Sequence, residues 1–388
     1  MNLDPTDEQQ MIVDTVRAFV QNEIVPLEAD LDPDATQLSS DDQDRLVAKV
    51  RGMGFYGLDI PAEYGGPGID VMTRTLMAIE MSQHRAGLYA ACYGVFGGAG
   101  LAQLYEATED QKERYLFPTL AGDKRGCFAL TEPSGGSDPG RAIQTSGVPD
   151  GDEWILNGSK LYISSADKAD FALLFARTSD DPGREGVTAF LVDTDTPGFH
   201  VRRVVHTLRS AHYATEIQLE DVRVPAANIL GELNKGFGIA NDRLSRQRIP
   251  YAAACIGVAR ASQDMAIEWS KNRETFGGLL ATRQGIQWML VDNEIDLKHA
   301  YWVTMEAAHL ADQGKPFRKE AAMAKLVATE ASARVVDRSM QIHGGAGMTK
   351  DLPLERWWRE LRIRRVGEGP NEVQRLIMAR ELLGRSLK

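Results

Sequence analysis

Between about residues 121 and 233, this 388-residue chain passes through one short apolar stretch after another with no helical pattern between them. Trp154 to Leu156, Lys160 to Ser164, Phe171 to Arg177, Val187 to Asp193, Phe199 to Val204 and Thr215 to Leu219 are separated by Asp, Gly and Pro. Strands that succeed one another without a crossover helix favour an antiparallel barrel or sandwich over a parallel sheet. Asn157-Gly158, the strongest short hairpin signal, divides the first two stretches.

On either side the spacing is helical. Pro5-Thr6-Asp7-Glu8 offers a helix start with Thr6 as its cap, and Met11, Val13, Val16, Phe19 and Val20 follow at helical intervals. After the loop Pro61 to Gly68, the pattern predicts helix over Val71 to His84 and Glu109 to Thr119. From about Gly236 three amphipathic segments follow, at about 243–272, 283–313 and 319–342. The order helices, strands, helices predicts an α+β chain of three parts. These are an N-terminal α-helical domain (1–120), a middle antiparallel β domain (121–233) and a C-terminal α-helical domain (234–388). The length exceeds what one ordinary core holds.

Composition narrows the function. Asp+Glu is 55 against Lys+Arg 44, a net charge of −11, which argues against a nucleic-acid binder. No apolar run is long enough for a bilayer, so no membrane association is expected. The acidic, polar start MNLDPTDEQQ shows neither a signal nor a transit peptide, consistent with a bacterial cytoplasmic protein or a matured organelle matrix protein. Cys92, Cys127 and Cys255 lie far apart without CxxC spacing, so buried free thiols are expected and no metal.

Three segments carry chemistry. Gln341 to Gln374 joins a glycine-rich turn to a basic, aromatic helix and then to an acid between two glycines, Gly367-Glu368-Gly369. Flanking glycines leave Glu368 uncrowded and let backbone approach a ligand, as suits a base aimed at a substrate carbon. The basic cluster Arg356, Arg359, Arg362, Arg364 and Arg365 reads either as a solvated face or as a phosphate or subunit contact. Cys127 to Asp138 mixes apolar residues, hydroxyls and a Gly-Gly turn, which suits a flat heterocycle with polar edges or an ordinary strand and turn. Arg273-Glu274-Thr275-Phe276-Gly277 is either a phosphate holder or a glycine-capped helix end.

Taken together and in order, these segments resemble the acyl-CoA dehydrogenases, FAD-dependent enzymes that desaturate acyl thioesters. Pro61 to Gly68 is similar to that family's N-domain loop. Ala129 to Glu132 with Gly136-Ser137-Asp138 resembles its first signature, and Gln341 to Glu360 its second. Arg273 to Gly277 is similar to its Arg-x-x-Phe-Gly element. The resemblance implies a C-terminal four-helix bundle and a homotetramer, a dimer of dimers. It implies that Phe128, Leu130, Thr131 and Ser137 line the flavin and the start of the substrate site, with Tyr162 and Ser164 against the isoalloxazine ring. Arg273, Thr275, Phe276 and Gln284 would reach the FAD of a neighbouring subunit, and Gln341, Gly344 and Gly345 would close over its phosphates. Pro370 and Glu372 belong to the same flavin-contacting set, and Arg248 and Gly369 to the substrate site. Glu368 would take the alpha proton while hydride leaves the beta carbon for flavin N5. Its backbone N–H and a ribityl hydroxyl would hold the thioester oxygen. Electrons would pass to an electron-transferring flavoprotein.

The chain departs from the family pattern at several positions. Gln247, where some members place the base, cannot serve as one. Gly367 replaces the usual tyrosine, which implies a wider pocket and tolerance for branched or cyclic acyl groups. Pro370 lacks a flavin-binding hydroxyl, Arg141 stands where a small residue is usual, and Leu208 to Tyr213 matches the Gly-x-Arg loop poorly. Gly126-Cys127-Phe128 and Ser137-Asp138-Pro139 are similar to the glutaryl-CoA branch, but Tyr89 falls where that branch needs an arginine, with Arg85 nearby. The competing readings are an oxygen-using flavoenzyme on the same scaffold, such as a nitroalkane oxidase or monooxygenase, and a binding protein on a decayed scaffold. Glu368 counts against both.

Overall fold

The computed structural model describes residues 4–98, 100–180, 184–209 and 214–384. It contains two compact units, Ala99–Leu244 and the pair Met1–Gly98 with Ser245–Lys388. The helical zones at the two ends of the sequence therefore share one unit.

The strand unit is built from β1 (Gly126–Ala129), β2 (Ser146–Asp150), β3 (Glu153–Ser164), β4 (Phe171–Arg177), β5 (Val187–Asp193), β6 (Phe199–Val205) and β7 (Ala214–Pro225). They form one sheet in the order β1-β4-β2-β3-β7-β6, with β5 also on β4. Most pairings are antiparallel, as the absence of crossover helices predicts, but β1 and β4 run parallel, and so does the single contact of β2 with β4. β5 is buried throughout apart from Asp193, and β4 apart from Arg177, so both faces are covered and neither strand alternates.

Asn157-Gly158 is not a hairpin. It lies inside the continuous strand β3, at a register shift against β7. Gly158 has φ 151°, and a Cβ there would meet Thr145 Oγ1 at 2.6 Å. The glycine serves a bulge and a close approach rather than a reversal. The turn falls instead at Gly151, φ 67°, between β2 and β3. Residues 100–121 make their contacts within the strand unit. Gln111 Nε2 donates to the carbonyls of Ala227 and Ile229, both at 2.8 Å. Tyr115 packs its ring 4.8 Å from that of Phe171.

The helical unit holds α1 (Asp7–Phe19), α2 (Ser40–Gly52), α3 (Val71–Met81), most of α4 (Gly236–Asn272), α5 (Gln284–Asp312), α6 (Arg318–His343), α7 (Leu354–Arg364) and α8 (Asn371–Leu383). Thr6 caps α1 as expected, and Gln9 completes a capping box with it. Small buried residues of α4, α5 and α6 (Ala252, Ala253, Ala308, Ala324 and Ala328 among them) meet in one core, which lets these long helices pack closely. Among the described residues no helix is long and apolar enough to cross a membrane, and all three cysteines are buried and unpaired.

A buried polar cluster fixes the loop after α3. Glu28 Oε1 accepts from Tyr93 Oη at 2.8 Å and Ala86 N at 3.0 Å, and lies 2.8 Å from His84 Nδ1. Its Oε2 accepts from Arg85 N at 2.8 Å. His84 Nε2 in turn accepts from the N–H of Cys92, where Cys92 and Tyr93 both take left-handed φ of 46° and 53°. Burial alone would raise the Glu28 carboxyl; the bonds from His84, Tyr93 and Arg85 N–H overcome it and bring it down to about 2. A depressed carboxyl stabilises the fold above its unfolded pKa of 4.5, and that stabilisation is lost as pH falls through about 2. It amounts to about 3 kcal/mol. Glu28→Gln is expected to unfold at lower urea than the parent at pH 7, with the gap closing towards pH 2. A gap independent of pH would remove the cluster from this role.

Candidate active site

The turn between α7 and α8 carries Glu368 with φ 55°, followed by Gly369 with φ 88°. A left-handed non-glycine residue costs roughly 1–2 kcal/mol and persists only where its surroundings impose it. Here they do. Lys325 of α6, wholly buried, donates Nζ to the carbonyls of Arg365 (3.2 Å) and Gly369 (2.9 Å) and to Asn371 Oδ1 (2.8 Å). Asn371 is braced by Thr329 Oγ1 at 3.1 Å and Glu330 Oε1 at 2.7 Å. From α8, Gln374 Nε2 donates to Gly369 O at 2.8 Å and Glu368 O at 3.3 Å. From α4, Arg248 Nε donates to Glu368 O at 3.4 Å. The turn is thus gripped by its backbone carbonyls.

The positive groups beneath this turn are perturbed. Burial brings Lys325 down to about 8 and Arg248 down to about 10, where Arg318 adds to the effect and Glu368 opposes it. Arg248 is 2% exposed, and its Nη1 has no hydrogen-bond partner among the described residues. Such a donor is costly to leave unmet.

Gly367 does not open a space. A Cβ placed on it would lie 2.4 Å from the Tyr251 hydroxyl oxygen. The room expected from the missing tyrosine is taken by a phenol from α4, so the expected widening does not occur in that direction.

In the strand unit, Phe128 lies on β1, with Leu130 and Thr131 just beyond it. Leu161 N donates to Thr131 O at 2.9 Å, which binds this segment beside Tyr162. Tyr162 sits at a register shift of β3 with φ 60° and is 58% exposed, so its ring is turned out of the sheet. Ser164 and Ser137 are exposed too. Behind this wall Lys160, fully buried, donates to Glu132 Oε1 at 2.7 Å, Phe175 O at 2.6 Å and Leu130 O at 3.4 Å. Burial raises the Glu132 carboxyl, but Lys160 and the N–H groups of Gln144 and Thr145 more than offset it and hold it below the usual range. Arg141, exposed, pairs with Asp138 at 3.7 Å.

Two exposed features complete the set. Arg273 to Gly277 is neither a plain helix end nor a closed loop. It begins a tight hairpin, β8 (Glu274–Thr275) with β9 (Gly278–Leu279), held by Arg283 Nη2 on Thr275 O and Phe276 O. Phe276 stands at its tip with φ 50°, fully exposed, and Gln284 opens the next helix, also exposed. Gln341, Gly344 and Gly345 lie exposed where α6 ends, Gly344 with φ 59°. Pro370 precedes α8, and Glu372 is exposed in its first turn.

Family models for the acyl-CoA dehydrogenase N-terminal, middle and C-terminal domains match residues 6–123, 127–222 and 234–383. The chain is 37% identical over 379 residues to the mitochondrial short-chain specific acyl-CoA dehydrogenase of Rattus norvegicus, covering 97% of this chain and 90% of that protein. This chain belongs to the acyl-CoA dehydrogenase family. It is an oxidoreductase of that FAD-dependent family. Its fold matches the butyryl-CoA dehydrogenase of Megasphaera elsdenii with a TM-score of 0.86 at 33% identity, over 99% of this chain and 100% of that one. A chain in the structure of the electron transferring flavoprotein of Acidaminococcus fermentans matches with a TM-score of 0.85 at 35% identity, over 99% and 100%.

For this acyl-CoA dehydrogenase several sequence expectations change. The arginine cluster is largely internal. Arg356 is buried on Glu360 and the carbonyls of Pro33 and Ala35, Arg359 pairs with Glu355 and Asp34, and Arg365 with Glu330. Arg85 donates to the carbonyls of Lys350 and Asp351, so its guanidinium is already engaged. Ser210 to Tyr213 of the poorly matching loop lie outside the described residues. Lys325, Asn371 and Tyr251 escaped sequence reading. A lone lysine in the alanine-rich stretch AAMAKLVATEA was the one available signal.

Proposed function

We propose that this enzyme desaturates short acyl-CoA thioesters between the alpha and beta carbons, with Glu368 as the base and FAD as its cofactor. The observation that carries this reading is the turn itself: a strained Glu368 whose backbone is gripped from three helices. A base that must meet one carbon–hydrogen bond gains from being fixed before the substrate arrives. Glu368 takes the alpha proton onto its carboxylate, and buried Arg248, with an unmet N–H, supplies positive charge beside it. Bound FAD would supply the acceptor for the hydride that leaves the beta carbon. The exposed ring of Tyr162, the hydroxyls of Thr131 and Ser164 and the apolar Phe128 and Leu130 suit a flat heterocycle with polar edges. Arg273, Gln341 and the turn at Gly344 suit its phosphates.

The projecting Phe276 hairpin and the apolar stripe Trp288, Val291 and Ile295 on α5, each about half exposed or more, support a homotetramer in which subunits share the cofactor. The short-chain and butyryl specificities of the relatives support a short substrate, and the electron transferring flavoprotein neighbour supports such a protein as acceptor. Anaerobic mixing with a panel of straight, branched, cyclic and dicarboxyl acyl-CoAs tests the reading. Rapid bleaching of the flavin by short straight chains is expected. A flavin-bearing protein bleached by no thioester would sink it in favour of an oxidase or monooxygenase.

A further inference from the structure

Tyr251 stands on α4 one helical turn beyond Gln247, so the two share a face. Its hydroxyl oxygen occupies the position next to Gly367, the residue before Glu368. It therefore lies beside both positions from which this family draws its base. The ring is not free to swing away. The Arg364 guanidinium stacks on it with 4.0 Å between its carbon and the ring centroid, and Lys325 Nζ lies 5.9 Å from the same centroid. Arg364 is itself tied to the carbonyl of Leu88. A phenol backed by a tethered guanidinium is a stiff wall.

We propose that Tyr251 is a specificity-determining residue: its phenol replaces the absent side chain at 367 as the wall beside the reacting carbons, and it excludes acyl groups branched there. This rests on the reading of Glu368 as the base. Gly367 and Tyr251 form a matched pair, because any Cβ at 367 collides with the phenol oxygen while glycine accepts it. The wall comes from a helix rather than from the turn, so the turn keeps its glycine and the base keeps its strained backbone. The favoured class is a short acyl thioester without a substituent on the alpha carbon.

The test uses the FAD-loaded enzyme and the variants Tyr251→Val, Tyr251→Phe, Gly367→Ala and Gly367→Ala with Tyr251→Phe. Two readouts are taken: kcat/KM for butyryl-CoA against 2-methylbutyryl-CoA, and calorimetric Kd for crotonyl-CoA against 2-methylcrotonyl-CoA. Tyr251→Val is expected to move both ratios towards the branched ligand by about tenfold or more, the usual worth of a methyl group in a fitted pocket. Gly367→Ala should weaken crotonyl-CoA binding by about tenfold or more, and most of that loss should vanish when Tyr251→Phe removes the colliding oxygen. Ratios within twofold of the parent in a Tyr251→Val protein of normal flavin content and melting temperature would overturn the proposal. If Tyr251→Val does not fold, an unrelieved Gly367→Ala defect in the Tyr251→Phe background overturns it equally. If no thioester bleaches even the parent, the desaturase reading fails, while the calorimetric ratios still decide whether Tyr251 is the wall.

Discussion

Glu368→Gln is expected to retain its flavin and bind acyl-CoA with near-parental affinity, yet to reduce flavin about a thousandfold more slowly or worse. The amide is isosteric, and Lys325, Gln374 and Arg248 hold the carbonyls of Glu368 and Gly369. The turn should therefore keep its shape while losing the carboxylate proposed as the base. Gln247 offers no substitute. Anaerobic stopped-flow bleaching measures the rate, and titration of flavin absorbance measures binding. Turnover within tenfold of the parent would mean that another residue is the base.

Lys160→Met should destabilise the strand unit by about 3–5 kcal/mol, the range for removing one partner of a buried pair. Its ammonium is the buried counter-charge on Glu132 and bonds two carbonyls besides, one of them at Leu130. Methionine fills the volume but leaves a buried carboxylate without its counter-charge and removes the bond to Leu130 O, one of the ties on the segment that carries Thr131. Flavin content should fall with stability, since that segment adjoins Tyr162. Urea unfolding followed by flavin release tests both. A loss below about 1 kcal/mol with full flavin content would show that the pair neither stabilises this unit nor supports the wall.

The helices were legible because periodicity and caps act over a few residues. The Thr6 cap and the spans of α4, α5 and α6 needed no tertiary information. The strands of the middle unit were legible as segments but not as pairings. Asn157-Gly158 has the chemistry of a hairpin, yet whether a chain reverses depends on what it lies against, and here Thr145 lies against the glycine. The parallel pairing of β1 with β4 joins residues more than forty positions apart and leaves no local mark.

The site divides the same way. Glycines around Glu368, the tyrosine at 162 and the signature segments are runs of neighbours, so sequence alone identified the family. Five arginines in a row of ten residues read as one surface, but burial, ion pairing and stacking sent most of them to different internal partners. The meaning of Gly367 was reversed by Tyr251, 116 positions earlier, because an empty side chain makes a cavity only if nothing else enters it. Sequence by itself determined the order of helices and strands, the acid and its flexible frame. Tertiary structure alone decided how that acid is held, through Lys325 and Arg248, and what stands beside it, because hydrogen bonds and excluded volume act between residues that only folding brings into contact.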